Sequence, residues 1–523
     1  MADEALRARL RRLLDALGQG LIERTEAVRL SLLAALAGEH LLLLGPPGTA
    51  KSELARRLQS ILAGGHYFER LLTRFSVPEE LFGPLSIRAL EADRYERLTD
   101  GYLPQATVAF IDEIFKANSA ILNALLTLLN ERAFDNGTQR IHTPLVCVIA
   151  ASNELPDEEE LEALYDRFLL RHQVSPVSQA GFRRLLALET QSGTDIDPSD
   201  RIDPGLLSAI RQNAADLPLT EDTLLLLEDL REALLQEDIR VSDRRWRQAL
   251  GLLRVAAWTD GATEVQPWQC RLLEHCLWQT PEQQPRVRAI LGRLLGMDTD
   301  AGAGESAGSG IRRLQRLVAA WHETLEEDRA RSRPVTDEDG HPLYLDAQGR
   351  QTRQARTLVS GDRDGEPLYL APPGVADRTN AGAGYTRDEL QHDFFDDHFR
   401  QTHIDGHWVG LDDYLADPDN RLQAFRDNTP LTEPWLWSER HIESRQAEIR
   451  QLQQEIGRQK GRIEAQLEQL REQGDPLWHD AEWLQAIAHR LQSDLARIDT
   501  LIADLEHIHD GFARLPRKEH EPA

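Results

Sequence analysis

Over the first third of the chain, short uninterrupted apolar runs alternate with stretches whose apolar residues recur at helical spacing. The runs are 40–45 (HLLLLG), 68–73 (FERLLT), 106–113 (ATVAFIDE), 145–152 (LVCVIAAS) and 168–174 (FLLRHQV). Runs of this length suit strands of a parallel sheet covered on both faces, and segments such as 119–132 (SAILNALLTLLNER) supply the crossovers. An α/β domain is therefore expected over 1–175. Residues 176–296 keep helical spacing without a strand run, which predicts a helical subdomain. A Gly/Ala/Ser-biased stretch at 297–310 (MDTDAGAGESAGSG) reads as a flexible linker.

Beyond it the period changes. Ile311, Leu314, Val318, Trp321 and Leu325 follow a 3-4 spacing. Ile442, Ile449, Ile456, Ile463 and Leu470 fall seven apart, as do Leu484, Leu491, Ile498 and Leu505, with Ile487 and Ile502 beside them. Such repeats mark helices with a narrow apolar seam. A turn signal at 472–476 (EQGDP) joins the second seam to the third, which favours an antiparallel three-helix bundle (311–333 with 437–510) over a long coiled-coil dimer. Residues 511–523 read as a tail. The intervening segment, 334–436, differs in kind, with 20 acidic residues against 9 basic and many Gly, Pro and aromatic positions. It contains an internal echo, DGHPLYL at 339–345 and DGEPLYL at 364–370. Each copy reads as an Asp-Gly turn followed by a short strand. A small β-rich acidic insert is expected, suited to docking a protein client. Phe394, Phe395 and Phe399 read as its core anchors, and the His and Asp residues of 392–407 show no metal-ligand spacing.

A chain of 523 residues implies about three or four domains. The net charge of -27 lacks the Lys/Arg footprint that nucleic-acid backbones reward, which argues against a DNA or RNA motor. Cys147, Cys270 and Cys276 form no CxxC pair, as expected in a reducing compartment. The first residues lack the apolar stretch of a signal peptide, and no window approaches a membrane span. A cytoplasmic protein is expected.

Three motifs carry chemistry. Gly45-Pro46-Pro47-Gly48-Thr49-Ala50-Lys51-Ser52 follows a buried strand and opens a helix, so its backbone N–H groups can wrap phosphate oxygens. Lys51 reaches the β/γ-phosphates and the Ser52 hydroxyl ligates Mg²⁺. Ala50 stands where the strict pattern has Gly; as the start of a helix it is expected to have ordinary helical dihedrals. In 108–113 (VAFIDE) two carboxylates emerge at the C-terminal end of a buried strand. Asp112 is the candidate for holding Mg²⁺ through water and Glu113 the candidate general base. A third strand ends in Asn153, whose amide can bond the γ-phosphate or the attacking water. The absence of an Asn-Lys-x-Asp signature favours ATP over GTP.

These motifs, in this order, resemble the AAA+ superfamily and within it the MoxR group. GPPGTAKS, TRFSVPEELFGPLS (73–86), GYLPQATVAFIDEIFKA (101–117), LNALLTLLNERAF (122–134), AASNELP (150–156) and LEALYDRFLLR (161–171) are similar to that group over about 1–290. With VSDRRW at 241–246 the wording most resembles the RavA branch, whose members also carry a triple-helical domain with a small β-rich insert. The resemblance implies a P-loop core with a helical lid, ATP hydrolysis with Mg²⁺, and a homo-oligomeric, hexameric ring. It implies that Arg167 is the arginine finger reaching a neighbouring subunit's γ-phosphate, with Arg171 and Arg132 as fallbacks. Arg244, or Arg245 beside it, matches the second sensor. Residues 85–103 and 133–144 match inserts that face the ring's pore, and Asn136-Gly137 is a good hairpin turn. Glu23 and Arg24 fall near the adenine, with no side-chain role assigned. The implied function is chaperone-like remodelling of protein complexes with a von Willebrand factor A-domain partner. In the RavA branch the insert is associated with lysine decarboxylase. A nucleotide-gated scaffold and a nucleic-acid motor are the rival readings.

Overall fold

The computed structural model describes residues 4–156, 159–188, 196–297, 309–472 and 474–518. Its first part is built on seven strands: β1 (Leu41–Leu44), β2 (Tyr67–Leu71), β3 (Val108–Asp112), β4 (Ala133–Asn136), β5 (Gln139–His142), β6 (Cys147–Ser152) and β7 (Leu170–Gln173). All five expected runs become strands of one sheet, ordered β2-β3-β6-β1-β7 and parallel throughout. The apolar runs of β1 and β6 are buried end to end because they are central. β2 is the outer strand; of its residues only Phe68 is buried, so the expectation of cover on both faces fails there. Because the strands are parallel, Leu44, Leu71, Asp112, Ser152 and Gln173 all lie on one edge of the sheet. Helices α1 (Glu4–Gly18), α2 (Thr25–Ala37) and α3 (Lys51–Ser60) pack with it. α2 is apolar nearly all round and correspondingly buried from Ala27 to Leu36, apart from the intermediate Arg29.

After β7 the chain is helical. Pro204–Ala215, Glu221–Gln236 and Asp243–Thr259 start at side-chain caps, where Asp203, Thr220 and Ser242 each accept a backbone N–H three residues on. A 3₁₀ segment, Pro267–His275, and the helix Gln283–Leu294 complete this lid. The expected linker lies outside the described residues over 298–308, as do 519–523 of the expected tail and Gln473 of the expected turn.

The heptad seams belong to three long helices, Ser309–Ala330, Glu439–Glu472 and Ala481–Ala513. Their seam residues are buried, from Ile311 and Leu325 through Ile449 and Ile456 to Ile498 and Leu505. Trp321 and Ile502 are the exceptions; both are half-buried, and in the third helix Leu501 takes the inner position. The chain forms two compact units, Met1–Leu317 with Leu452–Ala503 and Val318–Gln451 with Asp504–Ala523. The division passes through all three long helices.

In the second unit short antiparallel ribbons surround a small core of Tyr369, Leu390, Phe395, Leu411, Tyr414 and Leu415. The two echo copies fold differently. Asp364 (φ 54°) and Gly365 (φ 84°) form a two-residue hairpin turn between Arg363 and Glu366. In the first copy the Asp337 carboxylate instead accepts the N–H groups of Asp339 and His341 and closes a wider loop. Phe395 is a core anchor and Phe394 packs beside it, but Phe399 is 78% exposed. Asp396 accepts the N–H groups of His398 and Phe399, both at 2.8 Å, and that turn aims Phe399 outward. Among the described residues no helix is long and apolar enough to cross a membrane.

Candidate active site

β1 ends at Leu44 and the chain turns back over the sheet edge through 45–50. Gly45 lies so close to Val174 that a Cβ there would collide with the Val174 carbonyl oxygen. Gly48 (φ 80°) and Ala50 (φ 66°) both take left-handed dihedrals. The expectation of helical dihedrals at Ala50 is thus overturned. Ala50 precedes the first turn of α3, and its αL geometry makes the concave run of N–H groups on which an anion can rest. Ser52 follows Lys51 in that first turn. The Lys51 ammonium donates to the Gly45 and Pro46 carbonyl oxygens at 2.7 and 2.8 Å. Burial lowers its pKa, while Asp112 and Glu113 pull it back up. Thr49 is buried, its hydroxyl donating to the Pro46 carbonyl at 3.0 Å; Pro46, Pro47 and Gly48 are exposed.

The acidic pair stands two strands away on the same edge. The Asp112 carboxylate accepts the Glu113 N–H at 3.0 Å, and Glu113 (φ 53°) turns out of the strand end. Its carboxylate meets Lys116 at 3.2 Å. Asn153 follows β6, which lies between these groups: Gly45 donates to the Ser152 carbonyl at 3.0 Å, and Asn153 is exposed. The phosphate loop, Asp112, Glu113 and Asn153 therefore share one edge of the sheet. A cation-donating lysine, a hydroxyl, two carboxylates and an amide around a nest of N–H groups are a donor set that fits a nucleoside triphosphate with Mg²⁺.

The arginines lie elsewhere. Arg167 precedes β7 and so sits at the opposite, N-terminal edge, at least a strand's length away, roughly 13 Å. It is half-buried, and its Nε has no hydrogen-bond partner among the described residues. Arg244 is exposed and donates to the Asn130 side chain at 2.6 Å, beside Glu39 at the start of β1. Neither joins the phosphate loop of its own chain. The alternatives are structural. Arg245 is 1% exposed and donates to the carbonyls of Cys276, Phe168 (3.0 Å) and Leu169 (2.8 Å), fastening the lid to the segment before β7. Arg171 binds the Tyr165 and Trp278 carbonyls and lies 3.6 Å over the Tyr165 ring. Arg132 donates to the Gly38 carbonyl.

Sequence reasoning assigned no role to two residues that touch the site. Arg24 donates to the Thr49 carbonyl at 3.1 Å and to the Ser175 carbonyl at 2.9 Å, tying the phosphate loop to the chain after β7. Glu23 accepts the N–H and hydroxyl of Ser178, the residue that caps the helix Gln179–Leu186, and these bonds lower its pKa. Neither follows a period, so only the folded backbone reveals them. Asn118 was also missed: its side chain caps the helix Ser119–Glu131 and donates to the Ser76 carbonyl, while Leu72 donates to the Asp112 carbonyl. The loop 72–77 is thus tied on both sides of Glu113, with Phe75 92% exposed at its tip. The two expected inserts pack on each other. Asn136 exchanges two hydrogen bonds with the Arg97 backbone, at 2.6 and 3.1 Å. The hairpin turn itself is Gly137-Thr138, one residue later than expected. A Cβ on Gly137 would strike the Tyr95 carbonyl oxygen. In the second unit Asp337, Asp339 and His341 bring possible ligand atoms together, but Arg353 bridges both carboxylates.

The family model for the MoxR domain in the MoxR-vWA-beta-propeller ternary systems matches residues 8–204, and the AAA lid domain model matches 222–291. Two uncharacterized proteins of Methanocaldococcus jannaschii are each 39% identical to this chain. One is similar over 272 residues, 52% of this chain and 70% of its own length; the other over 282 residues, 53% and 74%. Protein MoxR of Paracoccus denitrificans is 28% identical over 323 residues, 55% of this chain and 94% of its own. With a parallel sheet carrying the phosphate loop, an AAA lid behind it and this similarity across most of its relatives' length, the chain belongs to the MoxR family of AAA+ ATPases.

Proposed function

We propose that the protein is a Mg²⁺-dependent ATPase that works as a hexameric ring and remodels protein complexes. One observation carries the reading: the groups that bind and attack a triphosphate share one sheet edge, while Arg167 and Arg244 lie at the other. Such a site is completed only when the far edge of one subunit meets the near edge of the next. Ser52 and Asp112 would hold Mg²⁺, which neutralises phosphate charge and orients the oxygens. Lys51 leaves the loop carbonyls for the β/γ-phosphates. Glu113, released from Lys116, takes a proton from the attacking water, and Asn153 orients that water. Arg167 stabilises the charge of the transferring group from the neighbouring subunit.

The matched family description supports a von Willebrand factor A-domain partner. The interrupted helical bundle supports the RavA branch, and the acidic insert 334–436 supports a protein client rather than nucleic acid. Phe75 and the paired inserts 85–103 and 133–144 are the surfaces through which hydrolysis would move that client.

Glu113→Gln should leave ATP binding intact and lower turnover by at least a hundredfold. Arg167→Ala alone should be similarly inactive. Mixing the two inactive variants should restore part of the turnover, because some interfaces then pair an intact Glu113 with an intact Arg167. A mixture as dead as its components overturns the shared site.

A further inference from the structure

A loop far along the chain, 475–483, seats between the α/β core and the lid. On the core side, Arg11 of α1 binds Asp475 at 3.2 Å and Arg29 of α2 binds Asp480 at 2.5 Å. On the lid side, Leu477 donates its N–H to Asp260 and Trp478 its indole N–H to the Thr259 hydroxyl, both at 2.9 Å. Trp483 donates to the Trp268 carbonyl at 3.3 Å. Leu477 and Trp478 are 1% exposed.

Beside this loop, around Glu26 of α2, are histidines from three elements: the half-buried His172 of β7, and the buried His275 of the lid and His479 of the loop. His275 Nε2 lies 2.9 Å from Glu26 of α2 and 3.4 Å from Glu274, and the rings of His172 and His275 are 5.6 Å apart. Nδ1 of His172, Nδ1 of His275 and Nε2 of His479 are buried with no hydrogen-bond partner among the described residues. A neutral imidazole tolerates that; an imidazolium carries two donors and cannot leave one unmet in a dry site. The charged groups facing the cluster are Arg24 just before α2, Glu26 and Arg29 of α2, Arg271, Glu274 and Arg288 from the lid, and Asp480 from the loop. Along α2 the same helix end reaches the phosphate loop, through Arg24 and Thr49.

We propose that the loop 475–483 is a proton-sensitive latch on the core–lid joint, closed while His172 and His479 are neutral, and that its closure positions the lid for ATP turnover. The turnover clause rests on the function proposed above; the latch itself does not.

The direction follows from linkage. Burial lowers the pKa of His172 and of His479 from 6.5 to about 4. Their contribution to closure is therefore complete above about pH 6.5 and fades as pH falls toward 4. Between pH 7.5 and 5.5 each histidine weakens closure about tenfold. Asp260 works in the opposite sense: burial raises its pKa to about 6, so its protonation favours closure about fourfold over the same window. The net expectation is a loss of about twentyfold.

Hydrogen exchange of the full chain at pH 7.5 and 5.5, corrected for intrinsic rates and referenced to β1 and β3, tests this. Peptides over 475–483 should lose about twentyfold in protection on acidification. His479→Gln and His172→Gln should each cut that loss to about twofold. The second variant lies outside the loop, so it decides the matter should the first prevent docking. Equal protection at both pH values in the parent, or a full twentyfold loss in His172→Gln, overturns the latch. In the parent, kcat for ATP should fall over the same window with KM little changed. A chain that turns over no ATP at any pH overturns the motor reading and leaves the exchange result to judge the latch.

Discussion

At the scale of residues, two positions carry local tension that sequence alone hides. Ala50 holds the left-handed region, where a Cβ crowds the following carbonyl and costs about 1 kcal/mol. The motif GPPGTAKS announces the loop but not this dihedral, because one-dimensional spacing says nothing of where the nest must reverse its hand. Ala50→Gly should relieve the strain, leave turnover intact and raise the unfolding temperature by a degree or two in calorimetry. Glu39 is the second. Burial raises its pKa to about 7, against the pull of Arg132 and the Gln248 hydrogen bond. The folded chain thus holds the neutral acid, and stability falls as pH rises from about 4.5 to 7. Above pH 7 the cost is about 3 kcal/mol. Glu39→Gln should therefore be more stable than the parent at pH 8 and nearly equal to it at pH 4.5, as read by thermal unfolding.

Elements were legible where one force dominates. β1, β3 and β6 are apolar runs in the middle of a sheet, and their bounds follow from burial. The heptad seams were legible because a bundle core repeats. What failed were positions decided by a single turn. The equal wording of 339–345 and 364–370 hid two different loops, since the Asp337 carboxylate captures N–H groups in one and an αL-αL pair closes the other. Phe399, apolar by composition, is turned out by Asp396. Phe395→Ala should cost about 3 kcal/mol of stability and Phe399→Ala less than about 0.5 kcal/mol, measured by chemical unfolding of the full chain. Asn136 shows the same limit: its place in a hairpin was readable, but its grip on the Arg97 backbone was not.

For the whole molecule, the phosphate site was readable because its motifs are contiguous. That a second subunit completes it is implied by resemblance and belongs to the proposal above, which the distribution of groups over two sheet edges supports. The seat of 475–483 was invisible, because no pattern links Trp478 to Thr259 across 219 positions. That separation has a consequence for synthesis. A ribosome that has released the lid has not yet made the tryptophan that fills its side, so the nascent chain leaves an apolar hollow open while the insert and the first two long helices are translated. Chains stalled before Trp478 should be bound by holdase chaperones, and chains stalled after the last helix should not.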